Sequence, residues 1–560
     1  MTKVFFAVAL FPIALGAGAQ TVPDSQVSTF QQVVDRAIVQ ENKLLAALRN
    51  EHPIAETYIQ DMGKDADFGN VPRVDHYFLG KVDLSRGVNT DSFIPKNREK
   101  TGGFAFFTNL FSVKYLPRGF AQTMLIDDGA FDRDHYDFEY VRREYLGDVR
   151  AYVVSVMPKK DAGYGRFTGQ IWIESNGFNI VRFNGVYNHS NGRAAYLHFD
   201  SWRVNSGPDL WVPARIYSEE SEIPFAFQHS KGLKAVTDLW GYSTAEERDE
   251  GEFTNMTVEM AAVEDKSPQA ADNSPVESLR AWEREGEDNV LSRLEKANIL
   301  APQGEVDKVL DTVVNNLIVT NNLNITPEVR VRVILTTPLE TFTVGHTIVI
   351  SRGLLDTLPD EASLAAILAH ELAHIALGQE IDTKFAFSDR VIFDDEQTLN
   401  KFRFARPQAE EEAANAKAVA LLENSPYKDQ LGRAGLFLKA LGAEANRLPC
   451  LIKPLFGSRM VDGHDNVVRM GELLAKAPQL QATRTDQVAA LPLGSRTSLD
   501  PWTNRLRMLR TRTEPLLSAR EKMPFELTPI YLHLTYQNQA QPRQQVSEKQ
   551  PAPAGVAQEP

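Results

Sequence analysis

The chain has 560 residues, with 60 Lys or Arg against 74 Asp or Glu, for a formal net charge of −14. That length predicts two or three domains, and the acidic balance argues against a general nucleic-acid binder or a polybasic membrane-surface protein. A single cysteine, Cys450, excludes an intramolecular disulfide and reads as a small buried hydrophobe.

The first residues have the form of a secretory signal. Lys3 supplies positive charge, residues 4–15 are nearly all apolar, and Ala17-Gly18-Ala19 is a small-residue cleavage site. The expectation is a signal peptide over 1–19 and a protein exported to a periplasm or the exterior. No later run of about 18 apolar residues is found, so no transmembrane span is expected in the mature chain.

Residues 28–50 repeat apolar side chains at helical spacing, with Val33, Val34, Ile38, Leu44, Leu45 and Leu48 on one face. Strands follow. Residues 152–156 are β-branched, 165–174 alternate, Ser175-Asn176-Gly177 supplies a hairpin turn, and 178–187, 194–204 and 210–217 continue an antiparallel meander to about Tyr242. A polar stretch with two Ser-Pro pairs, residues 263–275, reads as a linker. Helices are expected over 276–299 and 307–319, and strands over 329–336 and 343–351. Further helices are expected over 361–377, 407–422, 428–440 and 466–475. The Gln/Pro/Ala-rich tail, 536–560, is expected to be disordered.

Function is concentrated in His370-Glu371-Leu372-Ala373-His374. The surrounding stretch from Leu364 to Leu377 leaves almost no polar face, so this helix should be buried. Two histidines four apart lie one turn apart on one face, where both imidazoles can reach one metal ion. The glutamate beside the first is placed to hold a water and take its proton. Burying these groups is costly without partners, and a metal supplies them. A catalytic zinc takes three protein ligands and keeps a fourth position for water. The third ligand must come from elsewhere: Glu410, Glu411 or Glu412 on the next predicted helix, or His464. The longer pattern with a third histidine fails, because Leu377 and Glu380 occupy its glycine and histidine positions. His346 reads as a strand residue, and His464 as a loop residue in reserve as a transition-state donor.

Two resemblances follow from these residues. The run Gly353-Leu354-Leu355, then Asp360-Glu361, the signature helix, and Glu411-Glu412-Ala413-Ala414-Asn415 followed by Leu421-Leu422 resembles metallopeptidase family 48, the HtpX-like, BepA-like and Oma-type proteases, over about 276–525. The resemblance implies one zinc ion per chain held by His370, His374 and Glu411, with Glu410 as the alternative register, and Glu371 as general base. The mechanism that follows from these parts would lay substrate in extended form along an edge strand around 341–350, adding main-chain hydrogen bonds. Asn415 stands where the family has an aspartate that orients a zinc-ligating histidine, and Gln379 where members often carry a histidine. Ser498-Leu499-Asp500-Pro501 with Arg505 is faintly similar to a late family element, with Asp500 in the place of its histidine. In the N-terminal half, Phe167–Glu174, residues 179–185 and Trp211-Val212-Pro213 resemble the LolA-like lipoprotein-sorting fold, a curved antiparallel sheet around a helix.

The expected fold class is therefore α+β: a β-rich accessory domain over 20–262, LolA-like, followed by a mainly helical zincin-type domain with a small sheet over 276–525. The expected function is an exported zinc metalloendopeptidase acting on protein or peptide substrates, including misfolded envelope proteins, with a lipid or lipoprotein ligand for the N-terminal domain. The alternative is a non-catalytic envelope chaperone or lipid-binding protein with a structural or vestigial metal site.

Overall fold

The computed structural model describes residues 24–65, 69–85, 88–92, 117–188, 197–220, 232–242, 275–379, 404–462, 466–478, 497–500, 505–508 and 525–536. The expected signal peptide, the linker up to residue 274, His464 and the tail beyond Tyr536 lie outside them.

The N-terminal half is one ten-stranded sheet. Its strands run β1 (Ile54–Asp65), β2 (Gly69–Asp83), β3 (Asn89–Ser92), β4 (Tyr136–Leu146), β5 (Val149–Pro158), β6 (Phe167–Glu174), β7 (Ile180–Tyr187), β8 (Leu197–Gly207), β9 (Leu210–Glu220) and β10 (Leu233–Trp240). Their order is β3-β2-β1-β10-β9-β8-β7-β6-β5-β4, every neighbouring pair antiparallel. Helix α1 (Asp24–Leu48) lies on one face. There Val33, Ala37, Leu44 and Leu48 pack against Phe167, Ile171, Phe183 and Ile216. The helix is also pinned by a buried fork: Arg203 of β8 donates to both oxygens of Glu41 at 2.6 and 2.7 Å. The opposite face packs Trp172, Trp202 and Trp211 against Leu534 and Tyr536 of the C-terminal segment.

The second half is helical around a small sheet. It contains α2 (Pro275–Lys296), α3 (Glu305–Thr320), β11 (Arg330–Ile334), β12 (Thr341–Val344), β13 (Thr347–Ser351), α4 (Arg352–Thr357), α5 (Glu361–Ala376), α6 (Gln408–Glu423) and α7 (Leu431–Glu444). The small sheet runs β11-β13-β12, and β14 (Thr497–Asp500) pairs with β15 (Arg505–Met508). The expected α+β class holds, with two corrections. Residues 343–351 are not one strand: the chain turns at Gly345-His346 and returns as an antiparallel pair. Residues 466–475 are not a helix: Val467 bridges back to Val461 and only Leu473–Lys476 forms a turn of helix.

The two halves are joined by polar and ionic contacts to β1, β2 and β10 of the large sheet. Arg352 pairs with Glu56 and Asp238, each at 2.8 Å, and Glu56 also accepts from the Thr337 N–H at 2.6 Å. Asp75 of β2 accepts the backbone N–H groups of Cys450 and Leu451. Cys450 is half-buried, and burial pushes its thiol up to about 12.

Candidate metal centre

The signature helix α5 is positioned by its own ends. Asp360 caps the start by accepting from the Ser363 N–H at 2.9 Å. At the far end Gly378 takes a left-handed conformation (φ +64°), and the Gly378 and Gln379 N–H groups bond back to Ile375 and His374 carbonyls. The turn folds Gln379 back onto the helix, where its Oε1 lies 2.5 Å from His374 Nδ1. A side-chain amide oxygen in that position accepts from Nδ1–H and leaves the Nε2 lone pair aimed at the site.

His370, Glu371 and His374 are 1%, 1% and 0% exposed. His370 Nε2 and His374 Nε2 are 3.1 Å apart, and Glu411 Oε2 of α6 is 3.0 Å from His370 Nε2. Ligand atoms of His370, His374 and Glu411 all lie within 4.8 Å of one another. Burial would raise the Glu411 carboxyl, but the hydrogen bond from His370 and the charge of Arg469 outweigh it and hold it well below the usual range. Burial pushes His374 down, toward the neutral form that can bind a metal. Two observations test the fit of a metal. Two imidazole nitrogens face each other at hydrogen-bond distance, and Glu411 Oε1 is buried with no hydrogen-bond partner, 4.0 Å from His374 Nε2. Two nitrogens and a carboxylate oxygen converging on one point are a donor set suited to zinc.

Glu410, the alternative register, turns away and lies 3.4 Å from Arg406. His346 sits in the β12–β13 turn beside Glu287, outside the convergent group. Asn415 departs from the expected role. It does not reach a histidine: its Nδ2 donates to the Val468 carbonyl at 2.9 Å and its Oδ1 accepts from the Met470 N–H at 2.8 Å. His370 Nδ1 has no hydrogen-bond partner. The edge strand expected to receive substrate is covered. All four residues of β12 are buried, with Phe404 stacked on Phe342 at 4.5 Å and Arg406 donating to Thr343 Oγ1 at 2.6 Å. Arg469 was missed altogether. It is buried, donates through Nη1 to Glu371 Oε1 at 3.0 Å, and places Nε 3.3 Å from Glu411 Oε2.

Residues 305–388 match the family model of peptidase family M48, which bears out the resemblance seen in the signature region and supports a metallopeptidase. Two solved structures are similar to the N-terminal half. One is a DUF1329 family protein from Desulfovibrio piger, 12% identical, covering 38% of this chain and 92% of that one, TM-score 0.21. The other is a putative outer membrane lipoprotein-sorting protein domain from Vibrio parahaemolyticus, 12% identical, covering 40% and 98%, TM-score 0.22. Among curated proteins none matches the chain.

Proposed function

We propose that the chain is an exported zinc metalloendopeptidase in which His370, His374 and Glu411 hold one zinc ion and Glu371 is the general base. The observation that carries this reading is the convergence of those three ligand atoms beside a buried glutamate, on a helix within the matched M48 segment. Zinc bound there would polarise a carbonyl and make water more acidic. The chain's own residues supply the rest. Gln379 fixes the orientation of His374 through Nδ1. Glu371, held through Oε1, keeps Oε2 to take a proton from water and return it to the leaving amine. Phe404, Arg406 and the 455–457 segment cover the edge of β12, so an extended peptide laid along that strand must displace them. The leader-like residues 4–19 support export, which fits misfolded envelope proteins as substrates. Among the described residues no helix is long and apolar enough to cross a membrane. We assign the large sheet as a separate accessory domain over about 20–262, with a lipid or lipoprotein as the ligand its sequence resemblance suggests.

The test is Glu371→Gln in the full chain. Zinc content should stay at one per chain while cleavage of an unfolded substrate such as casein falls by about 1,000-fold or more, a loss of about 4 kcal/mol in transition-state stabilisation. Undiminished cleavage would refute the assignment of Glu371. Zinc bound by the wild type with no cleavage of any unfolded substrate would favour the non-catalytic reading.

A further inference from the structure

The segment around Arg469 is built more elaborately than a loop over a metal site requires. Val461 bridges Val467, and Met460 O accepts from both Val468 N and Arg469 N at 3.0 and 3.3 Å, making a tight hairpin base. Met470 follows with φ +58°, a left-handed conformation unfavourable for a side chain of its size, although it is buried in the core. Between them the Arg469 side chain, 3% exposed, turns inward onto two carboxylates. One belongs to the general base and the other to a metal ligand. A buried arginine on two carboxylates is an expensive way to fill space, since apolar residues of similar volume stabilise a core as well or better. Its Nη1 donates to Glu371, while Nε, which makes no hydrogen bond, faces Glu411 at 3.3 Å as an ion pair, so one rigid guanidinium ties the placement of one carboxylate to the charge of the other.

Asn415 holds that arginine in place. It lies one turn beyond Glu411 on α6, so ligand and clamp share one rigid element. Its amide grips the peptide units on both sides of Arg469, donating to Val468 O and accepting from Met470 N. An aspartate could accept from Met470 N, but its charged second oxygen would face the Val468 carbonyl. The departure at Asn415 therefore suits a clamp that needs one donor and one acceptor.

We propose that Asn415 and Arg469 form a positioning pair that fixes the carboxylate of Glu371 relative to Glu411, and so aims the base. The inference rests on Glu371 acting as the base. Displacement of a reacting group by about 1 Å can cost about 100-fold in rate, so the effect should fall on turnover rather than on substrate or metal binding.

The experiment uses the full chain and a quenched fluorescent peptide, with zinc stoichiometry measured on every variant. Arg469→Ala should lower kcat by about 100-fold, with KM changed less than about threefold and zinc retained. Arg469→Lys should recover about tenfold of that loss, and Asn415→Asp should cost about tenfold alone. If Arg469→Ala does not fold, the Lys and Asn415→Asp variants carry the same comparison. A second readout needs no turnover. In metal-free protein, Arg469→Ala should lower the melting temperature by leaving Glu371 buried and unpaired, and the Glu371→Gln, Arg469→Ala double variant should regain most of it. Wild-type kcat in Arg469→Ala, a kcat loss matched by zinc loss, or melting effects that simply add would overturn the proposal. Full activity of Glu371→Gln alone would instead overturn the assigned base.

Discussion

Replacing Glu340 with glutamine removes a carboxyl that sits in the core with no cationic partner among its described contacts. Glu340 precedes β12 and is fully buried. Its Oε2 accepts from the N–H groups of Leu455 and Phe456 at 2.8 Å each and of Gly457 at 3.4 Å, and its Oε1 from Thr336 Oγ1 at 3.4 Å. Burial raises this carboxyl from 4.5 to about 7, against the opposing pull of the three backbone donors. A folded-state pKa above the unfolded one means that the fold prefers the protonated form. The contribution is fully present below about pH 4.5 and is lost as pH rises through about 7. A displacement of about 2.5 units corresponds to about 3 kcal/mol. Glutamine keeps the acceptor for the 455–457 N–H groups and cannot ionise. Urea unfolding, followed by intrinsic fluorescence from about pH 4.5 to about pH 8.5, should show the two proteins equally stable at the acid end. The variant should be more stable by about 3 kcal/mol at the alkaline end. Glu56 and Asp75 are also raised by burial, but they are common to both proteins and cancel in the difference. Parallel curves would refute the reasoning, because they would mean that Glu340 ionises in the folded protein as easily as in the unfolded chain.

Two further predictions concern the metal centre and its scaffold. Glu411→Gln keeps the shape of the proposed third ligand but removes its charge and its pairing with His370 and Arg469. Zinc affinity, measured by competition with a chromophoric chelator, should fall by more than about 100-fold, the upper end of what losing a supporting group costs; unchanged affinity would move the third ligand to Glu410 or His464. Gly353→Ala places a methyl group 1.8 Å from the Thr337 carbonyl oxygen, a backbone atom that cannot swing aside. It should destabilise the fold by about 3 kcal/mol or more, read as a lower melting temperature with zinc still bound in whatever remains folded.

The elements that were legible from sequence are those in which one physical rule acted alone. Strands β5 to β9 are rich in β-branched and aromatic residues and are separated by turn residues such as Ser175-Asn176-Gly177, so their hairpins could be placed from residue patterns. β1 and β2 could not. They bury Glu56, Thr57, Gln60 and Asp75, because their ends serve the junction with the second half, and polar contacts there break the alternation. Alternation also resumes in phase on both sides of Gly345-His346, with Phe342 and Val344 before and Ile348 and Ile350 after, which hid the turn between β12 and β13. The site divides the same way. His370, Glu371 and His374 share one helix, where spacing alone brings them together. Glu411, which the structure brings beside them, is 41 residues beyond His370; residue types alone left it among Glu410, Glu412 and His464, and only the resemblance to a family singled it out.

Arg469 carried no such signal. The run from Asn466 to Ala475 spaces Val467, Met470 and Leu474 as a helix would, and a helical reading points its residues at unrelated neighbours. Gly471 and the β-branched pair Val467-Val468 weaken a helix there, and long-range contacts replace it. Asn415, more than 50 residues away in sequence, holds the peptide units on either side of Arg469 and keeps Met470 in a left-handed conformation. The sequence did mark the place, through an asparagine where an aspartate was expected. Read against an orienting carboxylate, that residue looked like a weakened histidine support. An amide differs from a carboxylate by gaining a donor, and the Val468 carbonyl is where that donor goes. The departure thus reports a second partner as well as a lost charge, and following it from Val468 to Met470 leads directly to the arginine that holds Glu371.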